Sequence, residues 1–182
     1  MPEGFDSTQY IRSFQQEIGL AKYECYVKNV HIQQNGTNPE AYLRKKLIGN
    51  CFEKSHTNYW YFKFCPFMHL TQFRYGIDNV TRIDNFVLGK YSDSPMVQID
   101  RGFSEKWNGG DICVVTGKPR TAQVDYICDL SIDIDGRVTS ISEPSFCNYL
   151  VKFHTPHVCG FPNITNEELA TIDCFNVDYF PK

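Results

Sequence analysis

The residues of this chain with the most chemistry to offer are eight cysteines: Cys25, Cys51, Cys65, Cys113, Cys128, Cys147, Cys159 and Cys174. Thiols ligate metals, attack as nucleophiles or oxidise to disulfides. No two stand at C-x-x-C spacing, which removes the zinc-ribbon, zinc-finger and thioredoxin-type patterns. An even, dispersed set in a domain of this size reads as disulfides formed in an oxidising compartment. Counting leaves the connectivity open, since such a set can pair in on the order of a hundred ways. Three Asn-X-Thr sequons, beginning at Asn35, Asn79 and Asn163, point independently to N-glycosylation and the secretory pathway.

Other reactive patterns are weaker. His154 and His157 flank Thr155-Pro156 without a third ligand at suitable spacing, so surface or packing roles are expected for them and no metal. A glycosidase needs two carboxylates facing a cleft, and no spacing here singles out such a pair. A Cys–His nucleophile is disfavoured once the thiols are oxidised. Neither a cofactor nor catalysis is expected.

The bulk numbers agree. The chain has 182 residues, 42% hydrophobic and 21% charged, which is one ordinary domain with flanks. Its net charge is −3 and its only tight basic cluster is Arg44-Lys45-Lys46, which argues against a nucleic-acid partner. No apolar run reaches the roughly 18 residues of a membrane helix. The segment Met1 to Asp6 has neither a basic n-region nor an apolar h-region, so the secretory reading places the true start upstream. Asp178-Tyr179-Phe180-Pro181-Lys182 is not a retention signal of the Lys-Asp-Glu-Leu kind.

The elements that position these residues are mainly strands. Asp6-Ser7 predicts a short helix with Tyr10, Ile11, Phe14 and Ile18 on one face, ended at Gly19. Tyr23 to Ile32 reads as extended. A second helix is predicted from the Asn38 cap and Pro39 to Gly49. Beyond Cys51, Trp60, Phe62 and Phe64 alternate with Tyr59, Tyr61 and Lys63, and 86–91 is a further strand. Ala122, Val124, Tyr126 and Cys128 share one face of the next. Leu130, Ile132 and Ile134 share a face of another, with Asp135-Gly136 as its hairpin turn, and Tyr149, Val151 and Phe153 follow. The stretch 93–110 has little pattern and is expected as a long loop. Short alternating strands of this kind predict a mainly β, flattened barrel or sandwich of two antiparallel sheets, with disulfides and a short helical N-terminal flank.

Four segments together carry a resemblance. They are Phe64-Cys65-Pro66-Phe67 through Thr71-Gln72, Leu88-Gly89-Lys90-Tyr91, Gly117-Lys118-Pro119-Arg120, and Ser142-Glu143-Pro144-Ser145-Phe146-Cys147-Asn148-Tyr149, which leads on to Thr155-Pro156-His157-Val158-Cys159. The chain resembles the mannose 6-phosphate receptor homology domain, a lectin fold, over 51–159. Residues 1–50 are then an N-terminal flank and 160–182 a tail. The resemblance implies disulfides Cys51–Cys65, Cys113–Cys147 and Cys128–Cys159, with Cys25 and Cys174 left to pair with each other.

It also implies a sugar site of Gln72, Arg120, Glu143 and Tyr149, the tyrosine six residues beyond the glutamate. The chemistry suits a mannose ring: arginine gives a rigid fork of donors, the carboxylate accepts from hydroxyls, and glutamine and tyrosine do either. Tyr59-Trp60 matches, with Tyr in first place, an adjacent tryptophan pair of the endoplasmic-reticulum degradation lectins. Bland readings stand beside these. Arg120 and Glu143 can form a structural ion pair, and Trp60 and Tyr149 can be core aromatics. The loop 129–142 carries Asp129, Asp133 and Asp135 against Arg137 alone, a poor phosphate cradle. An unphosphorylated mannose-containing N-glycan is therefore the expected ligand.

Among the subfamilies, the degradation lectins of the erlectin type fit best, with a place in the endoplasmic-reticulum lumen and a membrane ubiquitin-ligase complex as protein partner. The alternatives are a non-catalytic subunit of glucosidase II or of the phosphotransferase, partnered by its catalytic chain, or a mannose 6-phosphate sorting receptor. A disulfide scaffold without a ligand is the reading from another class.

Overall fold

The computed structural model describes residues 5, 10–28, 36–56, 59–132, 134–162, 164 and 172–177. The chain divides into two units, residues 1–32 with 166–182, and residues 33–165. Asn35, Asp133 and Asn163 lie outside the described residues.

The smaller unit is a three-stranded antiparallel sheet in the order β1-β2-β12, of Tyr10–Ile18, Ala21–Lys28 and Ile172–Asn176. Cys25 faces Cys174 in register and the two are bonded. Phe5 and Phe175 pack edge-on at 5.2 Å, and Phe5 lies 4.7 Å from Tyr26. The helix expected from the Asp6-Ser7 cap, which lies outside the described residues, is instead strand β1 over Tyr10–Ile18. Tyr10, Phe14 and Ile18 are four residues apart, and that spacing is close to one helical turn but also two full strand repeats. Gly19, at φ +65°, turns the chain so that Ile18 pairs with Ala21, which settles the ambiguity in favour of a hairpin.

Among the described residues, the larger unit holds one α-helix, a short 3-10 helix at Pro156–Val158 and two sheets. Helix α1 spans Pro39–Leu47 with Asn38 as its cap, whose side chain accepts the Ala41 N–H at 3.0 Å. Its Leu43 and Leu47 are buried in the main core. One sheet is antiparallel, in the order β3-β4-β5-β6: Phe52–His56, Trp60–Cys65, His69–Tyr75 and Arg82–Lys90. The other runs β10-β11-β9-β8-β7: Arg137–Ser145, Asn148–Thr155, Thr121–Cys128, Gly102–Trp107 and Val97–Ile99. It is antiparallel except for β11 against β9, which run parallel. The core holds Phe62, Phe64, Leu70 and Leu88 from the first sheet and Trp107, Val124, Tyr126, Val151 and Phe153 from the second. Phe64 reaches Phe153 at 5.2 Å and stacks on Trp107 at 5.5 Å. Disulfides Cys51–Cys65, Cys113–Cys147 and Cys128–Cys159 complete the unit.

Two expectations give way here. The stretch 93–110 contains β7 and β8 and is not one long loop. β8 hides from a pattern search because it is buried on both faces and carries a charge, Glu105, among its core-facing residues. The region 130–136 holds turns instead of a strand, and Asp135-Gly136 is no two-residue hairpin. Gly136 serves a different need: a Cβ there would lie 2.1 Å from the Phe153 ring.

Glu105 is 2% exposed and points among core aromatics. The Tyr126 hydroxyl donates to its Oε1 at 2.7 Å, while Oε2 has no partner among the described residues. Burial pushes its carboxyl up to about 7, with the Tyr126 hydrogen bond opposing the shift. A carboxyl raised in the folded state is bound to a proton there while the unfolded chain has lost it, so stability falls as pH rises from about 4.5 to 7. The expected outcome is a gain of roughly 2 kcal/mol, or about 4–8 °C in melting temperature, at pH 5.5 over pH 7.5. Glu105→Gln should flatten that difference in thermal melts at the two pH values.

Candidate functional site

Gln72 lies in β5 directly between Phe62 of β4 and Phe86 of β6. The β5–β6 register shifts on both sides of Gln72, between Leu70 and Thr71 and between Gln72 and Arg74. Such irregularities re-aim side chains next to functional sites. Gln72 and Phe86 are both half-buried.

Arg120 stands just before β9, and both its backbone N–H and its carbonyl are fixed. Its N–H donates to the Asp111 carbonyl at 3.0 Å and its carbonyl accepts from Gly110 at 3.1 Å. Asp111 in turn grips β6: its N–H donates to the Val87 carbonyl, and its carboxylate accepts the Val87 N–H, each at 2.7 Å. This stitching sets the guanidinium over the ring of Phe86, next to Val87, at 5.2 Å. A Cβ on Gly110 would lie 2.8 Å from both Arg120 Cβ and the Leu88 carbonyl carbon, so glycine is required where these segments cross.

On its other side, Arg120 Nη1 donates to the Tyr149 hydroxyl at 2.9 Å and to Cys147 Sγ at 3.1 Å. Arg120 Nε is buried without an acceptor, and no ion pair joins Arg120 to Glu143 among the described residues. The structural ion pair is therefore not the arrangement this fold makes. Glu143 falls in the irregular stretch of β10 between Ser142 and Ser145, and its Oε1 accepts the Cys147 N–H at 2.6 Å. Tyr149 is 5% exposed, and burial first, then the Glu143 charge, raises its hydroxyl above the ordinary phenol range, with Arg120 acting in the opposite sense.

Trp60 packs 6.3 Å from Phe86, and Tyr59, which is half exposed, meets Trp60 edge-on at 5.3 Å. Arg74 lies over the Tyr59 ring and pairs with Asp84. The fold thus gathers the sequence candidates around Cys147, expected as a disulfide partner of Cys113, and Phe86, which sequence reasoning missed. Trp60, Gln72 and Arg120 converge on Phe86, while Arg120 and Glu143 converge on Cys147. A phenylalanine in a strand has no local mark of function, and only the β5–β6 register reveals it.

The remaining candidates fall elsewhere. His154 Nδ1 pairs with Asp129 and His157 Nε2 with Asp135, each at 3.0 Å, and no cluster of three metal-ligating side chains occurs among the described residues. The Ser131 hydroxyl, with help from His154, holds the Asp129 carboxyl down at about 2. A cavity of about 260 Å³ lies against Lys106, Asn108, Thr121, Gln123, Asn148 and Leu150. Pro144 and Tyr149 line it as well, so this cavity adjoins the site at Tyr149.

The chain is similar to known proteins in sequence and fold. Residues 49–113 match the family described as glucosidase II beta subunit-like protein. The "Protein OS-9 homolog" of Schizosaccharomyces pombe is 24% identical over 87% of this chain and 61% of its own length. "Protein OS-9" of Homo sapiens is 26% identical over 58% of this chain, which spans only 17% of that relative. A solution structure of the MRH domain of Yos9 complexed with alpha3,alpha6-Man5 superimposes with a TM-score of 0.56 at 23% identity, covering 71% of this chain and 89% of that domain.

The Phe86 platform is open to test. Phe86→Leu keeps the site apolar but removes the aromatic face beneath Arg120, an interaction worth about 0.5–2 kcal/mol. Any ligand that depends on Arg120 should bind about 3- to 30-fold more weakly in this variant by calorimetry, with a melting temperature close to that of the parent.

Proposed function

We propose that this chain, whose fold is that of the mannose 6-phosphate receptor homology domains, is a lectin that binds unphosphorylated mannose on N-glycans. The observation that carries the reading is Arg120, half-buried over Phe86, bonded to Tyr149 and free of any carboxylate partner among the described residues. Its guanidinium keeps donor capacity for hydroxyls, and Glu143 supplies the acceptor beside it. Gln72, Arg120, Glu143 and Tyr149 are the proposed sugar ligands, with Trp60 and Tyr59 as aromatic walls. Sugar C–H faces pack well on such rings.

The setting we propose is glycoprotein quality control in the endoplasmic-reticulum lumen, where trimmed mannose arms mark misfolded glycoproteins for degradation. The relatives named Protein OS-9 favour this branch of the resemblance, and a membrane ubiquitin-ligase complex is the protein partner it implies. A second reading, as the non-catalytic glycan-binding subunit of glucosidase II, is favoured by the family match over 49–113. Both readings need recognition and no catalysis. Asn79, in the turn between β5 and β6, is a proposed glycosylation site, together with Asn35 and Asn163.

A glycan array tests the reading. The oxidised chain should bind mannosidase-trimmed oligomannose in preference to phosphorylated glycans. Arg120→Ala and Glu143→Gln should each weaken that binding by about 10- to 100-fold while melting as cooperatively as the parent. Preference for phosphorylated glycans would move the chain to the sorting receptors. Absence of binding by the correctly oxidised chain would leave a scaffold.

A further inference from the structure

We infer that Cys147 is a positioning residue of the proposed sugar site, and that mannose binding depends on the oxidised state of its bond to Cys113. This inference rests on the lectin reading.

Each polar group of Cys147 is engaged with the site. Its sulfur accepts from Arg120 Nη1 at 3.1 Å, its N–H donates to Glu143 Oε1 at 2.6 Å, and its carbonyl accepts from Thr121, the neighbour of Arg120, at 3.1 Å. It does so from a left-handed backbone conformation, φ 60°, in the two-residue turn between β10 and β11, where a non-glycine residue persists only if its surroundings hold it. Two backbone hydrogen bonds hold it, and the disulfide is the covalent contact among them. Cys113 is fully buried in the loop that ends at Arg120, and it is anchored there by its N–H to the Lys118 carbonyl and by its own carbonyl to Gly117, both at 2.8 Å. One covalent bond therefore joins the loop that aims Arg120 to the turn that aims Glu143. Among the described hydrogen bonds, no sulfur of the other three disulfides touches Gln72, Arg120, Glu143 or Tyr149.

The chemistry of the sulfur gives the dependence its direction. In the disulfide, Sγ of Cys147 is a neutral, weak acceptor, which leaves the guanidinium donors available to Tyr149 and to a ligand. A dithiol reductant changes this. Its thiolate attacks one sulfur of the Cys113–Cys147 bond and forms a mixed disulfide, releasing the other cysteine as a thiolate. The second thiol of the reductant then displaces the remaining cysteine. Two electrons and two protons pass to Cys113 and Cys147, and the dithiol leaves as a disulfide. The freed Cys147 sulfur lies between Arg120, whose charge favours a thiolate, and Glu143, whose carboxylate opposes it; as a thiolate it is a full negative charge for the guanidinium. Arg120 is drawn to the sulfur and away from Tyr149, and the turn carrying the Glu143 contact is released from the loop.

The test compares the variant C113A/C147A with C51A/C65A in the full chain, reading mannose affinity by calorimetry alongside the melting temperature. Both should lose thermal stability, because each removes a cross-link. Only C113A/C147A should lose affinity, by about tenfold or more, as expected for a misplaced charged hydrogen bond. Cys113→Ala alone, which leaves the Cys147 thiol beside Arg120, should bind progressively less mannose as pH rises through the ionisation of that thiol. C113A/C147A should lack this pH profile. On the unmodified chain, graded dithiothreitol with alkylation and peptide mass mapping should show affinity falling with the fraction of Cys147 that is reduced. Retention of affinity within about twofold in C113A/C147A, or a flat pH profile in Cys113→Ala, would overturn the inference. Failure of the oxidised parent itself to bind mannose would instead defeat the lectin reading.

Discussion

Arg120 is half-buried, and no carboxylate pairs with it among the described residues. Charge drawn partly out of water without a counter-ion must find polar or polarisable neighbours, or the fold is destabilised by several kcal/mol or so. The larger unit meets this condition with an aromatic face below, a phenol and a sulfur beside, and backbone stitching behind. Each of these comes from a different part of the chain: Phe86 from β6, Tyr149 from β11, Cys147 from the turn before it and Asp111 from the loop between. The sheet order that brings them together is thus a requirement of one side chain as much as a consequence of hydrophobic packing.

Strand alternation explains how the core and the site share the same elements. Ala122, Val124 and Tyr126 of β9 face the core, as do Val151 and Phe153 of β11. Tyr149 belongs to that same inner row, one repeat before Val151, but sits at the strand's beginning, where the row leaves the core and meets Arg120. The site is therefore the end of the core, walled by residues that packing already orders. The irregular stretches of β5 and β10 break the alternation where Gln72 and Glu143 must turn toward it. A second buried polar cluster, Glu105 with Tyr126, lies among the same aromatics.

What could be read from the sequence follows from how local each signal is. Helix α1 was legible because its cap, its first-turn proline and its glycine stop are all local chemistry. β9 was legible because one face is buried and the other is not. β8 was not, since burial on both faces erases the alternation and Glu105 imitates a surface residue. β1 was misread because residues four apart satisfy both periods, and only pairing with β2 decides between them. Gln72, Arg120, Glu143 and Tyr149 came from a resemblance that spans distant segments. Phe86 escapes because its role consists entirely of contacts across strands. The resemblance implies the Cys113–Cys147 bond, while the contact of the Cys147 sulfur with Arg120 is visible only in three dimensions.

The same contacts bear on why a hydroxyl-rich ligand suits this place better than a phosphate. Burial first, and the Glu143 charge after it, raises the Tyr149 hydroxyl above the ordinary phenol range, so a negative field already reaches the site. Arg120 is the cation that offsets it, and its Nη1 is shared between Tyr149 and Cys147. Arg74, the next cation along the aromatic row, is paired with Asp84. A phosphate carrying about two charges would face the Glu143 carboxylate with one partly engaged guanidinium in its favour, and like charges at such range raise each other's cost. A neutral sugar hydroxyl can donate to Glu143 and accept from Arg120 in the same position, satisfying both without adding charge. The proposed preference for vicinal hydroxyls follows from that balance: one carboxylate, one guanidinium with no carboxylate partner among the described residues, and two aromatic walls.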